Sequence, residues 1–181
     1  FGLQYGLKYA LMRYANVYGP RQNPHGEAGV VAIFCQRMLK GEQPIINGEG
    51  KQTRDYVYVG DVVAANLAAL DYPHNDYFNV GTSIETDVNG VFSRINEALG
   101  ANCKVVHGPA KPGEQLRSVL SYAKTKKLLG WEPKVNITDV HTHRSSSAGP
   151  SLYAMLLEVE APPKSTEQGL TAHLAPLAKK L

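Results

Sequence analysis

The chain has 181 residues, 43% of them hydrophobic and 19% charged, with 17 glycines, 11 prolines and a formal net charge of +3. This is enough for one domain with a core, and the composition excludes a coiled coil, a collagen-like chain and a wholly disordered one. A slight positive excess gives no electrostatic case for nucleic acid or membrane, and no apolar run approaches the ~20 residues that span a bilayer.

Cys35 and Cys103 stand too far apart in sequence to suggest a disulfide framework or a zinc ligand set. His141 and His143 with Asp139 have nothing else metal-like around them, so no metal site is expected. With Phe1 at its start, no start methionine and no signal-peptide pattern, the sequence reads as a cytoplasmic-type fragment.

In chain order, the apolar run Tyr9–Ala15 predicts a buried strand. It breaks at Asn16 into a Pro- and Gly-punctuated loop over 16–29, long enough to suggest function. Val30, Phe34 and Met38 share a stripe and predict a helix over 30–40, ended by Gly41. Ile45 and Ile46, then Asn47–Gly48, then Thr53–Val59 predict a strand, a tight turn and a strand. Asp61 is expected to cap a helix running to about Leu70, with Val63, Leu67 and Leu70 toward the core. Tyr77–Val80 predicts a short strand, Thr86 or Asp87 the start of a helix ending at Gly100, and Lys104–His107 another strand. The segment 111–118 is expected as a loop, and Lys124–Leu129 as a short helix stopped by Gly130. From about Ile137 the periodicity is lost. Residues 137–181 are expected to be an atypical, partly flexible tail, with a capping-box pattern at Ser165–Gln168. Residues 1–136 form the compact α/β unit.

Two runs, "LMRYANVYGPRQNPHGEAGVVAIF" (11–34) and "NGEGKQTRDYVYVGDVVAANLAAL" (47–70), resemble the extended short-chain dehydrogenase/reductase family, the NAD-dependent sugar-nucleotide epimerases and dehydratases. The likeness is strongest to the UDP-glucose 4-epimerase group. Further matching motifs follow in family order: "FNVGT" (78–82), "KPGEQLRSVL" (111–120) and "AKTKKLLGWEP" (123–133). The resemblance implies an α/β fold, the C-terminal substrate-binding portion of an extended Rossmann-type epimerase with the last strands of the nucleotide-binding domain. The family's N-terminal NAD-binding units, with their Gly-rich turn and catalytic Tyr-x-x-x-Lys pair, have no counterpart in this sequence. Tyr5 and Lys8 have the wrong spacing for that pair, so no catalytic residue is assigned. The implied cofactor is NAD, the implied ligand a UDP-sugar, and the intact enzyme is expected to be a homodimer.

The resemblance also implies roles for individual residues. Ala15 matches a position whose backbone lies near the nicotinamide. Asn16, whose amide both donates and accepts, matches a substrate contact, though a turn-forming Asn reads the same way. Gly29 and Val30 open a helix where free N–H groups suit an anion or carbonyl. Ile45, Ile46 and Asn47 match the segment along the uracil ring. Arg54 sits in an otherwise apolar or aromatic strand and requires either Asp55 or an external anion, and the resemblance points to the diphosphate. Lys111 and Glu114 match a motif that grips diphosphate and ribose, with Lys where the family has Arg. Ser121 and Ala123 also depart from the usual residues.

Overall fold

The computed structural model describes residues 2–25, 29–137, 140–143 and 154–157. A one-turn helix α1 (Gly2–Tyr5) leads to strands β1 (Ala10–Tyr14) and β2 (Asn16–Tyr18), and then to helix α2 (Val30–Leu39). Strands β3 (Ile46–Asn47), β4 (Thr53–Arg54) and β5 (Tyr56–Tyr58) precede helix α3 (Val59–Leu70). Strands β6 (Asp76–Val80) and β7 (Thr86–Asp87) lead into helix α4 (Val88–Leu99). Strands β8 (His107–Gly108) and β9 (Arg117–Ser118), helix α5 (Ala123–Leu129), and an antiparallel pair β10 (Val140–His143) and β11 (Ala154–Leu157) complete it.

The architecture is α/β. Parallel pairs join β1 to β6, β2 to β5 and β3 to β8, while β4 lies between antiparallel β7 and parallel β9. Parallel ladders require neighbours far apart in sequence, joined by crossovers, which is why very short strands here hold together distant segments of the chain. The chain steps from one ladder to the next at Ala15: the Ala15 N–H donates to the Val80 carbonyl at 2.9 Å and the Asn16 N–H to the Asp55 carbonyl at 2.8 Å.

Strand β5 divides two cores by simple alternation. Tyr56 faces a cluster built by α2 and α4, where Phe34 meets Phe92 edge-on at 5.6 Å. Val57 faces the other way, onto Val62, Ala65, Val80 and Trp131 beneath α3. Each fully buried Phe or Val contributes about 1.5–3 kcal/mol, so the two clusters fix the helices on opposite faces. Helix α4 starts at Asp87, whose carboxylate accepts the Gly90 N–H at 2.6 Å, and ends at Gly100 in the left-handed region. Both ends match the sequence expectation, as does the left-handed Gly130 that stops α5.

Several expectations are corrected. The strand β1 is not buried: Leu11 and Tyr14 are exposed. Asn16 does not begin the loop, because Asn16–Tyr18 pairs with β5. The 45–59 segment is not a hairpin, since β3 and β4 belong to different sheets, each with partners far along the chain. Helix α3 starts at Val59, not at a cap on Asp61. The Asp61 carboxylate turns inward and accepts the N–H groups of Lys134 and Val135, each at 3.0 Å, while its carbonyl accepts Trp131 Nε1 at 2.9 Å. Burial raises its pKa above the ordinary Asp value. The buried stripe of α3 is therefore Val62, Ala65 and Ala69, and Val63, Leu67 and Leu70 face outward. The strand expected over 104–107 lies instead at His107–Gly108, and Arg117–Ser118 within the expected loop is a strand. The capping-box segment Ser165–Gln168 lies outside the described residues.

Candidate functional site

Alternation along residues 52–58 sets the site. Asp55 points to one face, where its buried carboxylate accepts the Thr82 N–H at 2.8 Å, the Thr82 hydroxyl at 2.7 Å, and the Ser83 and Leu120 N–H groups at 3.2 Å each. It is thus committed elsewhere and is not the partner of Arg54. Arg54 projects from the opposite face. Its Nη1 donates to the Thr53 carbonyl at 2.8 Å and its Nη2 approaches Glu114 Oε1 at 3.5 Å. Both side chains keep some contact with solvent, Arg54 at 16% and Glu114 at 28%. A contact that long leaves the guanidinium fork open to a better acceptor.

Three further elements converge there. Gln52 Nε2 donates to the Asn47 carbonyl at 3.1 Å and lies 3.4 Å from the second Glu114 oxygen. Asn47, Gln52, Arg54 and Glu114 therefore form one polar group drawn from β3, from β4 and the residue before it, and from the 109–116 loop. Beside it, Ile46 is fully buried and Ile45 is exposed, so Ile45 offers an apolar face while Ile46 can offer only backbone. Lys111 is exposed and its ammonium has no ion-pair partner among the described residues; its carbonyl accepts the Glu114 N–H at 3.3 Å.

The other expected contacts stand at strand and helix ends. Asn16 opens β2 with its side chain exposed, and Ala15 before it is half-buried at the C-terminal end of β1. Gly29 precedes Val30 at the start of α2, without a side-chain cap. A Cβ on Gly29 would stand 2.8 Å from Gln22 Nε2, which donates to the Val17 carbonyl at 3.0 Å. Among the described residues, no side chain caps the first-turn N–H groups of α2.

Gln52 of the group, and Tyr56 on the core side of it, were not singled out from the sequence. Gln52 and Tyr56 are two positions either side of Arg54, so the strand period places all three on one face; that spacing is the signal. The buried Tyr56 hydroxyl has no hydrogen-bond partner among the described residues. Burial pushes it up to about 12, partly opposed by Arg54 and reinforced by Asp87 and Glu114.

The fit to a dinucleotide is partial. Ala15 offers a small side chain and an accessible strand end, but no Gly-x-Gly-x-x-Gly occurs in the sequence. Among the described residues no strand passes through a glycine-rich turn into a helix N-terminus, the arrangement that seats a pyrophosphate. The residues present can border such a cofactor, not hold it.

Comparison with known proteins gives a consistent result. A family model described as NAD dependent epimerase/dehydratase family matches residues 1–81. The chain is 43% identical over 136 residues to the UDP-glucose 4-epimerase of Mycolicibacterium smegmatis, covering 75% of this chain and 44% of that protein. It is 37% identical over 105 residues to the UDP-N-acetyl-alpha-D-glucosaminuronate decarboxylase of Bacillus cytotoxicus, covering 58% of this chain and 33% of that protein. Among solved structures, the UDP-glucose 4-epimerase of Thermotoga maritima with UDP-glucose superposes with a TM-score of 0.74 at 52% identity, covering 76% of this chain and 44% of that one. The UDP-glucose 4-epimerase of Thermus thermophilus in complex with NAD gives 0.69 at 45% identity, covering 76% and 46%. The chain spans less than half the length of these relatives. Among the described residues, no helix is long and apolar enough to cross a membrane.

Proposed function

We propose that this chain, which belongs to the NAD-dependent epimerase/dehydratase family, supplies the UDP-sugar site of a UDP-glucose 4-epimerase. The observation that carries the reading is the convergence of Asn47, Gln52, Arg54 and Glu114 beside the exposed Ile45. A uridine diphosphate has an apolar ring face, a polar ribose and a two-point anion, and this group offers a matching surface for each. The guanidinium takes the diphosphate, Glu114 is released toward the ribose hydroxyls, and Ile45 lies along the base. Asn16 and the N–H groups at Gly29 and Val30 lie at the sugar end.

Bound NAD would supply the hydride acceptor for sugar C4, with Ala15 of this chain bordering it. The residues of this chain hold the non-reacting nucleotide, and that binding energy positions C4. Similarity to the epimerase is higher and longer than to the decarboxylase, 43% over 136 residues against 37% over 105, which favours epimerisation over decarboxylation; a 4,6-dehydratase of the same family is a second reading. The remaining rival is a sugar-nucleotide binder without activity.

Titration calorimetry of the chain with UDP tests the reading. Arg54→Lys replaces a planar fork with a point charge. Charge-assisted bonds are worth about 1.5–3 kcal/mol each, so UDP affinity is expected to fall about tenfold or more with the melting point unchanged. Unchanged affinity with a lowered melting point would return Arg54 to a structural role. Lys111→Arg, which restores the family's two-point geometry, is expected to tighten UDP binding. The same or poorer affinity would mean that Lys111 does not face the diphosphate.

A further inference from the structure

Residues 48–51 connect the two parts of the candidate site, Ile45 and Asn47 on one side and Gln52 and Arg54 on the other. Both flanks of this turn are tied down by backbone bonds. The Gly48 N–H donates to the Gly108 carbonyl at 3.0 Å, and the Thr53 N–H to the Leu116 carbonyl at 2.9 Å. His107 Nδ1 donates to the Gly48 carbonyl at 2.7 Å. These bonds fix where the turn begins and ends, and they leave the carbonyls of Glu49 and Gly50 to find donors elsewhere.

One residue supplies both donors. Asn89, in the first turn of α4, donates its side-chain Nδ2 to the Glu49 carbonyl at 2.9 Å and its backbone N–H to the Gly50 carbonyl at 3.1 Å. The first N–H groups of a helix have no partner inside it, so α4 offers the second donor without breaking its own ladder. The fit is close. Gly50 is buried with φ +70°, and a Cβ on it would stand 2.3 Å from Asn89 Oδ1. That oxygen is buried and has no hydrogen-bond partner among the described residues. The amide is therefore held in place by its Nδ2 bond and not by its oxygen. The segment carrying Asn89 also grips the diphosphate side, because β7 pairs antiparallel with β4, Thr53 with Asp87 and Arg54 with Thr86.

We propose that Asn89 is a positioning residue of the UDP-sugar site, which through the 48–51 turn sets the spacing between the apolar surface at Ile45 and the guanidinium of Arg54. The inference rests on the reading of this group as a UDP site. Its consequence is particular to a joined ligand. With the turn loosened, each part of the site still takes its own fragment. Only a ligand that must reach both parts loses affinity, because the advantage of joining two contacts depends on their spacing.

Calorimetric titration of the 181-residue chain with UDP and with inorganic pyrophosphate tests this. Asn89→Ala removes the Nδ2 donor and keeps the backbone bond. It is expected to weaken UDP binding by about tenfold or more, and pyrophosphate binding by less than about twofold. Ile95→Val, on the buried side of α4, lowers stability without touching the turn and is expected to leave UDP affinity unchanged. In the native chain, hydrogen exchange at the Asn89 amide is expected to slow about tenfold with UDP and not with pyrophosphate; this measurement decides if Asn89→Ala does not fold. Equal losses for UDP and pyrophosphate, UDP affinity unchanged in Asn89→Ala or lowered as much by Ile95→Val, or an unslowed Asn89 amide would each overturn the proposal. So would a native chain that binds UDP but not pyrophosphate, since Arg54 would then not hold an anion by itself. A native chain that does not bind UDP overturns the site reading, and this inference with it.

Discussion

Replacing Asp55 by alanine is expected to cost the chain at least about 3 kcal/mol of stability, the range for leaving a buried polar network without its centre. The carboxylate is 1% exposed and accepts four hydrogen bonds, two from Thr82 and one each from Ser83 and Leu120. Its loss leaves three backbone N–H groups and a hydroxyl without their acceptor, each worth about 1–3 kcal/mol when buried and unpaired. One of them belongs to Ser83, a non-glycine residue held at φ 61°, a conformation that persists only where its surroundings enforce it. Asp55→Asn keeps the shape but exchanges an acceptor oxygen for a donor, so it is expected to fall between alanine and the native residue. Urea unfolding monitored through Trp131 measures both. An alanine variant within about 1 kcal/mol of the native chain would mean that water replaces the carboxylate.

The second large effect concerns turnover. The 181-residue chain by itself is expected to show no epimerisation of UDP-glucose, whatever NAD is supplied. No glycine-rich turn in it seats a pyrophosphate, and its one Tyr-x-x-x-Lys spacing, Tyr122 to Lys126, is committed to packing on Trp131 and to an ion pair with Glu132. General acid–base help is typically worth about 10²–10⁴-fold, and hydride transfer has no acceptor without a held cofactor. The measurement is UDP-galactose formation in material free of host epimerase. Detectable product would require a catalytic site other than the one described.

Local rules made much of the fold legible. The ends of α4 and α5 follow from Asp87, Gly100 and Gly130, because caps depend on the few residues around them. The hairpin reading of 45–59 failed because Asn47–Gly48 signals a turn but cannot say which strands flank it in space. Ladders from β3 to His107 and from β4 to Arg117 depend on contacts far along the chain. Arg54 and Glu114, sixty residues apart, approach to 3.5 Å, a contact the sequence could not show, whereas the role of Asp55 was hidden by its adjacency to Arg54 in sequence. Neighbours along a strand point in opposite directions, so the nearest carboxylate was the one least able to pair. On α3 the spacing of Val63, Leu67 and Leu70 read as a core stripe, but the core side is Val62, Ala65 and Ala69, one position away, because apolar residues occupy both faces of this helix.

The backbone step at Asp55 has a mechanical consequence. Its carbonyl holds the Asn16 N–H, its N–H is held by the Ser118 carbonyl, and Arg54 is the residue before it. Arg54 and Asn16 are therefore rigidly spaced by a single peptide unit clamped from both sides. The two backbones therefore cannot shift independently: a displacement of β2 is passed through Asp55 to β4 and β9.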